Sequence, residues 1–447
     1  MVDANYIVAI DIETSCFIGM IGSKNEEGRI SVLAVEREEA DGSSIRRGNI
    51  YHKESTGRLM KRLIEKLQNR IVDKLPDFRI EKVYVGVGGQ SLRSIEHFEM
   101  KTLSMGATVS ENDLRALDMQ CRAYRPDMED VVAIAPPVYY VDGKQVEQPK
   151  GLPAGRIEAH YKLIVGRPSI RNCVMDCVKL TGLQLAGIIV SPLALAEATL
   201  GRKEKETGCV LMSFDTGVTS VAVYQHGSLA LLSVIPLGVQ LITGDLMRTL
   251  KLRKEEAEWL KITYGLSLAG QEKNADHPQG KIAIDGQKVD SVRLNAIIEG
   301  RIKEIVENVY ERIRSMGDMA SLSSGIVLTG NASDLKELPE LLRQRFNLEV
   351  TPAAIRKERM EKNENRVNDP KYMTAISLLI QGTENCLQHI SPPKPVEPEP
   401  EDVETLRPEG GLTDKKPTGA SDKTDRKKRG LSKFIEKIKT KDLFADD

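Results

Sequence analysis

The stretch Leu211–Tyr224, "LMSFDTGVTSVAVY", sets an apolar run, a turn built from Asp215, Thr216 and Gly217, and a second apolar run one after another. That order predicts a β-hairpin whose turn presents backbone N–H groups to an anion, a phosphate above all. The first apolar run carries no acid. Ser213 stands where a phosphate hairpin of this kind commonly places a carboxylate for a metal or a water.

Working outward, "NYIVAIDIETSCFIGMIG" near the N-terminus reads as strand, tight turn at Glu13–Ser15 and strand, and "GRISVLAVERE" adds a third strand. A helical pattern follows in "STGRLMKRLIEKLQNRIVDKL", where Leu59, Leu63, Ile64, Leu67 and Ile71 fall on one face. The same β-β-β-α order recurs in "GCVLMSF", "TSVAVYQHG", "SLALLSVIPLG" and the helical "TGDLMRTLKLRKEEAEWLKITYG". Two copies of one α/β unit predict facing halves, with the Asp-containing turn of each pointing into a shared ligand cleft. A third element, "GIVLTGNASDLKELPELLRQRF", reads as strand, T-G-N turn and a helix whose first N–H groups could receive a phosphate or ribose. The segments "VYVGVGGQSLRSIEHF" and "VVAIAPPVYYVDGKQVEQPKGLPAGRIEAHYKLIVG" flank a helical stretch near Glu111–Tyr124 and make a small α+β insertion.

The chain has 447 residues, enough for roughly two to four domains. Its 64 Lys and Arg nearly cancel 65 Asp and Glu, so net charge gives no argument for a nucleic-acid partner. Six scattered cysteines, with neither a signal peptide nor a membrane-length apolar run, point to a reduced cytosolic compartment without disulfides. Cys173 and Cys177 lie one helical turn apart but lack two further ligands, and they read as core thiols rather than a zinc site.

From Ser391 the composition changes. "SPPKPVEPEPEDVETLRPEGG" holds six prolines and six acids, cannot bury a core and reads as a linker, so folded structure is expected to stop near Ile390. Beyond it, "DRKKRGLSKFIEKIKTKDLF" places Leu431, Phe434, Ile435 and Ile438 on one apolar stripe. Lys433 and Lys437 belong to the eight basic residues that face two acids between Asp425 and Lys441, a pattern suited to an anionic lipid surface. A helix that docks on protein is the alternative. One copy would bind reversibly, and several held together in a filament far more tightly.

In their order, "AIDIETS", "SPLALAEATL", the "VIPLGVQLITGDLMRTL" to "AEWLKITYG" run, "VLTGNASDL" and a terminal basic amphipathic helix resemble FtsA, the actin-like bacterial cell-division family. The likeness covers about 390 residues plus the tail. Single motifs are shared with Hsp70 chaperones, sugar kinases and the rod-shape actin MreB; the insertion and the tail set FtsA apart. The resemblance implies an α/β fold of the Hsp70/actin/sugar-kinase superfamily. Its subdomain 1A would take 1–83, 166–204 and 366–390, an inserted 1C 84–165, 2A 205–244 and 315–365, and 2B 245–314. A disordered linker at 391–429 and a membrane-targeting helix at 430–447 would follow. It further implies ATP with Mg2+, self-association into filaments and attachment to anionic lipids on the cytoplasmic face of the inner membrane at the division septum. The C-terminal peptide of tubulin-like FtsZ would dock on 2B, with Arg293 and Arg301 as candidates, and other division proteins on the insertion.

The family's first phosphate turn, Asp-x-Gly-Thr-Ser, is matched by Asp11, Thr14 and Ser15, with Asp11 as the implied metal ligand. Glu13 replaces the Gly, and either bends out to solvent or brings bulk and like charge to the phosphates. The second pattern, Asp-x-Gly-Gly-Gly-Thr-x-Asp, falls on Ser213 to Ser220, where both acids and two glycines are gone. Asp215, two residues along, is a candidate substitute, because a two-residue shift keeps a strand side chain on one face. Thr216, Gly217 and Thr219 are the remaining phosphate candidates. Adenosine contacts would come from Gly330, Glu258 and Lys261, the last two reading equally well as a solvated helix pair, and Asn331 replaces another family Gly. Losing a carboxylate removes much of the means of phosphoryl transfer, so at most a weak ATPase is expected. A PilM-like pilus-assembly scaffold and an ATP-dependent kinase or chaperone ATPase are the alternative functions.

Overall fold

A computed structural model describes residues 5–40, 42–268, 280–284, 287–317, 319–333, 335–361 and 368–390. The linker and tail readings, including Leu431, Lys433, Phe434, Ile435, Lys437 and Ile438, lie outside the described residues.

The first half is built on a five-stranded sheet. Asn5–Ile12 pairs antiparallel with Cys16–Lys24, which pairs antiparallel with Ile30–Glu39. On its other side Asn5–Ile12 runs parallel to Lys82–Val87, and that strand runs parallel to Gln184–Val190. Ile7, Val8, Ala9 and Ile10 are all fully buried, an unbroken apolar run rather than an alternation, because helices cover both faces. Leu63 and Leu67 of helix Lys53–Ile71 crowd Gly19 from one face, and Leu379 of helix Pro370–Gln381 crowds Gly22 from the other.

The second half repeats this plan. Cys209–Phe214, Thr219–Gln225 and Ser228–Ile235 form an antiparallel meander, and Ile326–Thr329 and Val350–Pro352 add parallel strands. The period of two decides the packing. Cys209 and Leu211 join the core of the first half, whereas Val210, Met212 and Phe214 join a second core with Leu294, Ile298, Ile302 and Ile305 of helix Ser291–Arg314. Ser213 and Asp215 continue the odd-numbered face.

Three expectations are corrected. Lys82–Val87 lies inside the first sheet, so its residues from Tyr84 onward do not belong to the insertion, whose sheet begins at Arg93–Thr102. The expected continuous helix over 243–265 is two helices, Gln240–Leu250 and Lys254–Tyr264, with Lys251 left-handed (φ 57°) between them. The helix after the T-G-N turn starts only at Leu338, so its N-terminus is not at that turn.

The insertion has a core of its own, with Leu117, Ile157, Tyr161 and Leu163 buried between helix Glu111–Ala123 and its sheet. Ser110 caps that helix in a capping box with Asp113. A single residue pair, Arg93 with Ser233, continues the insertion's sheet into that of the second half.

Candidate functional site

The two hairpins bring their turns to one cleft. In the first, the Glu13 N–H donates to the Cys16 carbonyl (3.0 Å), which closes the turn directly after Asp11. In the second, the Asp215 N–H donates to the Val218 carbonyl (3.0 Å). The segment after the third strand then fastens this turn from outside. The Val239 and Gln240 N–H groups donate to the Asp215 and Thr216 carbonyls, each at 3.0 Å. That approach needs Gly238, since a Cβ there would sit 2.3 Å from the Thr216 oxygen.

Three acids converge. Asp11 is buried, and its carboxylate accepts a hydrogen bond from the Ser191 hydroxyl (3.2 Å). Half-buried Asp215 accepts from the Ser213 hydroxyl (2.8 Å). Half-buried Glu13 accepts from the Asn331 amide (3.2 Å), and thus turns inward to the cleft and not out to solvent. Each carboxyl is pushed up to about 7, first by loss of water and then by a neighbouring acid: Asp215 acts on Asp11, Glu13 on Asp215, and Asp11 on Glu13. Ser213 is therefore no gap in the negative charge of the site. Its hydroxyl donates to Asp215, the turn residue just past the strand, whose carboxylate lines the cleft.

This donor set fits a cation that arrives with phosphates. No Lys or Arg among the described residues hydrogen-bonds to these three acids, although Arg37 lies near enough to favour the charge of Glu13, and a divalent ion would relieve them further. Among the described residues, however, no group of three His, Cys, Asp or Glu forms a metal cage. A Mg2+ ion held mainly by phosphate oxygens and water, with one or two carboxylates, matches that arrangement.

Asp11, Glu13, Thr14, Asp215, Thr216 and Gly217 line the cleft together, and Ser15 meets Thr216 there (3.2 Å between hydroxyl oxygens). Other candidates fall elsewhere. Thr219 is fully buried and donates to the Leu237 carbonyl (2.7 Å), which takes it out of the cleft. Lys261 is buried and donates to Glu258 (2.6 Å) and to the Thr243 hydroxyl (3.1 Å), while Thr243 donates to Glu258 (2.5 Å). The pair is a polar network with Lys261 buried and Glu258 half-exposed. Gly330 (φ 96°) packs on the backbone of Phe214. Arg301 is tied to Asp245 (2.6 Å) and Glu304, so its guanidinium is not free for an acidic peptide. Arg293 is exposed at the start of helix Ser291–Arg314.

Sequence reasoning passed over Ser191 and Gly48 as site residues. The signal for Ser191 was present: "SP" directly after the apolar run "QLAGIIV" opens a helix at a strand end, where ligands of α/β sheets gather. Nothing local marks Gly48, whose N–H reaches the Thr14 hydroxyl (2.9 Å) from a distant loop.

A family model described as "Cell division protein FtsA" matches residues 216–377. The cell division protein FtsA of Porphyromonas gingivalis is 30% identical over 387 residues, spanning 86% of this chain and 79% of that protein. The FtsA of Neisseria meningitidis serogroup B is 28% identical over 382 residues, spanning 84% and 89%. Among solved structures, a chain of the PilM-PilN type IV pilus biogenesis complex superposes with a TM-score of 0.57 at 13% identity, over 86% of this chain and 99% of its own length.

Proposed function

Since the chain belongs to the FtsA family of cell division proteins and carries the actin-like α/β fold, we propose that it polymerises on the cytoplasmic membrane at the division septum and tethers FtsZ there. The observation that carries the nucleotide part is the convergence of Asp11, Glu13 and Asp215 with two hairpin turns on one cleft. ATP with Mg2+ is its ligand in this reading. Asp11 and Asp215 would hold the metal, and the turn hydroxyls of Thr14, Ser15 and Thr216 would hydrogen-bond the phosphates. Turnover is slow in this reading, because acids that repel one another hold protons they must release before they can bind a metal or orient a water.

The membrane part rests on the residue pattern at Leu431, Phe434, Ile435 and Ile438 with its flanking lysines. Among the described residues no helix is long and apolar enough to cross a membrane. For FtsZ, the region 245–314 offers Arg293 as one exposed cation, Arg301 being engaged by Asp245. The PilM alternative shares the fold, and a scaffold of that kind has no need of a basic amphipathic tail.

Vesicle flotation tests the whole reading. The full chain should carry labelled FtsZ to anionic vesicles. Phe434→Glu, which puts a carboxylate in the apolar stripe, should release both proteins, and Arg293→Glu should release FtsZ alone. Equal flotation of wild type and Phe434→Glu would remove the tail as the anchor.

A further inference from the structure

Three segments far apart in the chain meet at the mouth of the cleft through their side chains. The Asn331 amide has two N–H groups to give. One goes to the Thr216 hydroxyl (2.9 Å) on the second hairpin, the other to the Glu13 carboxylate (3.2 Å) on the first. The Thr216 hydroxyl in turn lies 3.2 Å from that of Ser15. Beneath this bridge the turns are in contact: a Cβ on Gly217 would lie 2.0 Å from the Thr14 hydroxyl, which already accepts the Gly48 N–H. Asn331 is held on the second half, because Gly330 packs against Phe214 and the Ala332 N–H donates to the Phe214 carbonyl (3.1 Å). Its reach to Glu13 therefore spans the gap between the two halves.

The groups that a triphosphate would use are thus already using one another. Asn331 itself is exposed, so the bridge is open to water and to competing anions. We propose that Asn331 is a latch that holds the two phosphate turns together, and that Mg-ATP takes its place by displacing that side chain. The proposal rests on the nucleotide reading above and adds how access to that site is regulated. A phosphate accepts the Ser15 and Thr216 hydroxyl protons, which now serve the contact between the two turns. Entry of a ligand must also part Thr14 from Gly217, so binding separates the halves at the turns. The contact sets the apparent affinity, since only the unlatched fraction receives the ligand.

Two measurements on the full chain test this. Without nucleotide, amide hydrogen exchange is followed at Glu13–Ser15 and Thr216–Val218 in wild type, Asn331→Ala and Thr216→Val. Both variants should speed exchange at the two turns by about tenfold, the loss of one net hydrogen bond, and leave helix Lys53–Ile71 unchanged. In calorimetric titration with Mg-ATP, Asn331→Ala should bind tighter than wild type by about the same factor. Unchanged exchange at the turns in both variants overturns the latch. Weaker binding by Asn331→Ala also overturns it, because Asn331 is then a phosphate ligand and not an obstacle. Faster exchange with no binding of Mg-ATP by any of the three proteins keeps the contact as a latch but overturns ATP as its key, and with it the nucleotide reading.

Discussion

Asp215 shows how a turn residue can bring charge to a cleft whose adjoining strand carries none. Ser213 ends the buried face of its strand without a charge, and Asp215 in the turn beyond it brings a carboxylate to the cleft, held by a 2.8 Å hydrogen bond from the Ser213 hydroxyl. Loss of water on burial, and then the neighbouring Glu13, push the folded pKa of Asp215 up to about 7 from an ordinary 3.8, against the Ser213 hydrogen bond, which lowers it. Below its ordinary pKa the group is protonated in both states and costs nothing. As pH rises through the interval from there to about 7, the unfolded chain has released the proton and the folded chain retains it, so stability is lost progressively. Asp215→Asn removes the charge while keeping the shape. It should raise the melting temperature by about 2 °C at pH 8 and change it little at about pH 3.5, where the carboxyl is neutral in the unfolded chain as well. A uniform shift at both pH values would mean that packing, not charge, governs the site.

At the scale of elements, the second hairpin is rigid because the chain that follows it returns to fasten its turn. Gly238→Ala would drive a Cβ to within 2.3 Å of the Thr216 oxygen and 2.4 Å of the Gly217 carbonyl carbon, both backbone atoms with nowhere to go. Its cost should be about 3 kcal/mol in denaturant unfolding. Gly244, in the helix that follows, has nothing within 4 Å of an added Cβ. Gly244→Ala should therefore stabilise by about 0.5 to 1 kcal/mol, and the two alanines differ in sign although six residues apart. The break at Lys251 has a packing reason as well. In an unbroken helix Leu252 would lie about 200° around from Leu250, yet both are buried. No Gly or Pro marks that break, which is why the apolar pattern alone reads as one helix.

For the molecule as a whole, the cleft lies between duplicated halves, so a ligand seated there adds contacts that the unfolded chain lacks. At a hundredfold excess over its dissociation constant, Mg-ATP should stabilise by about 2.7 kcal/mol. Thermal unfolding of the full chain should show that shift, and Asp11→Ala should abolish it. Steady phosphate release should stay near background in both proteins. Turnover well above background that vanishes in Asp11→Ala would instead return the chain to the ATPases.

The strand-turn-strand units, their repetition and the Asp-bearing turns were legible in the residues, because an alternating or continuous apolar run and a turn residue act over a few positions of the chain. The same locality made Ser191 findable at its strand end. Local pattern could not show which side chains meet. Asn331 reaches Thr216 across 115 residues and Glu13 across 318, and Arg301 reaches Asp245 across 56. Thr219 reads as a phosphate contact until the strand pairing turns its hydroxyl to Leu237. Lys82–Val87 joins the first sheet and not the insertion because two strands, one of them nearly a hundred residues later in the chain, offer it parallel edges. The sequence by itself determined the elements and the cleft's acids, since these depend on residue type and short spacing. Only the packed chain decided that Glu13 turns inward and that Asn331 bridges the halves, since each depends on a distance that forms when remote segments meet.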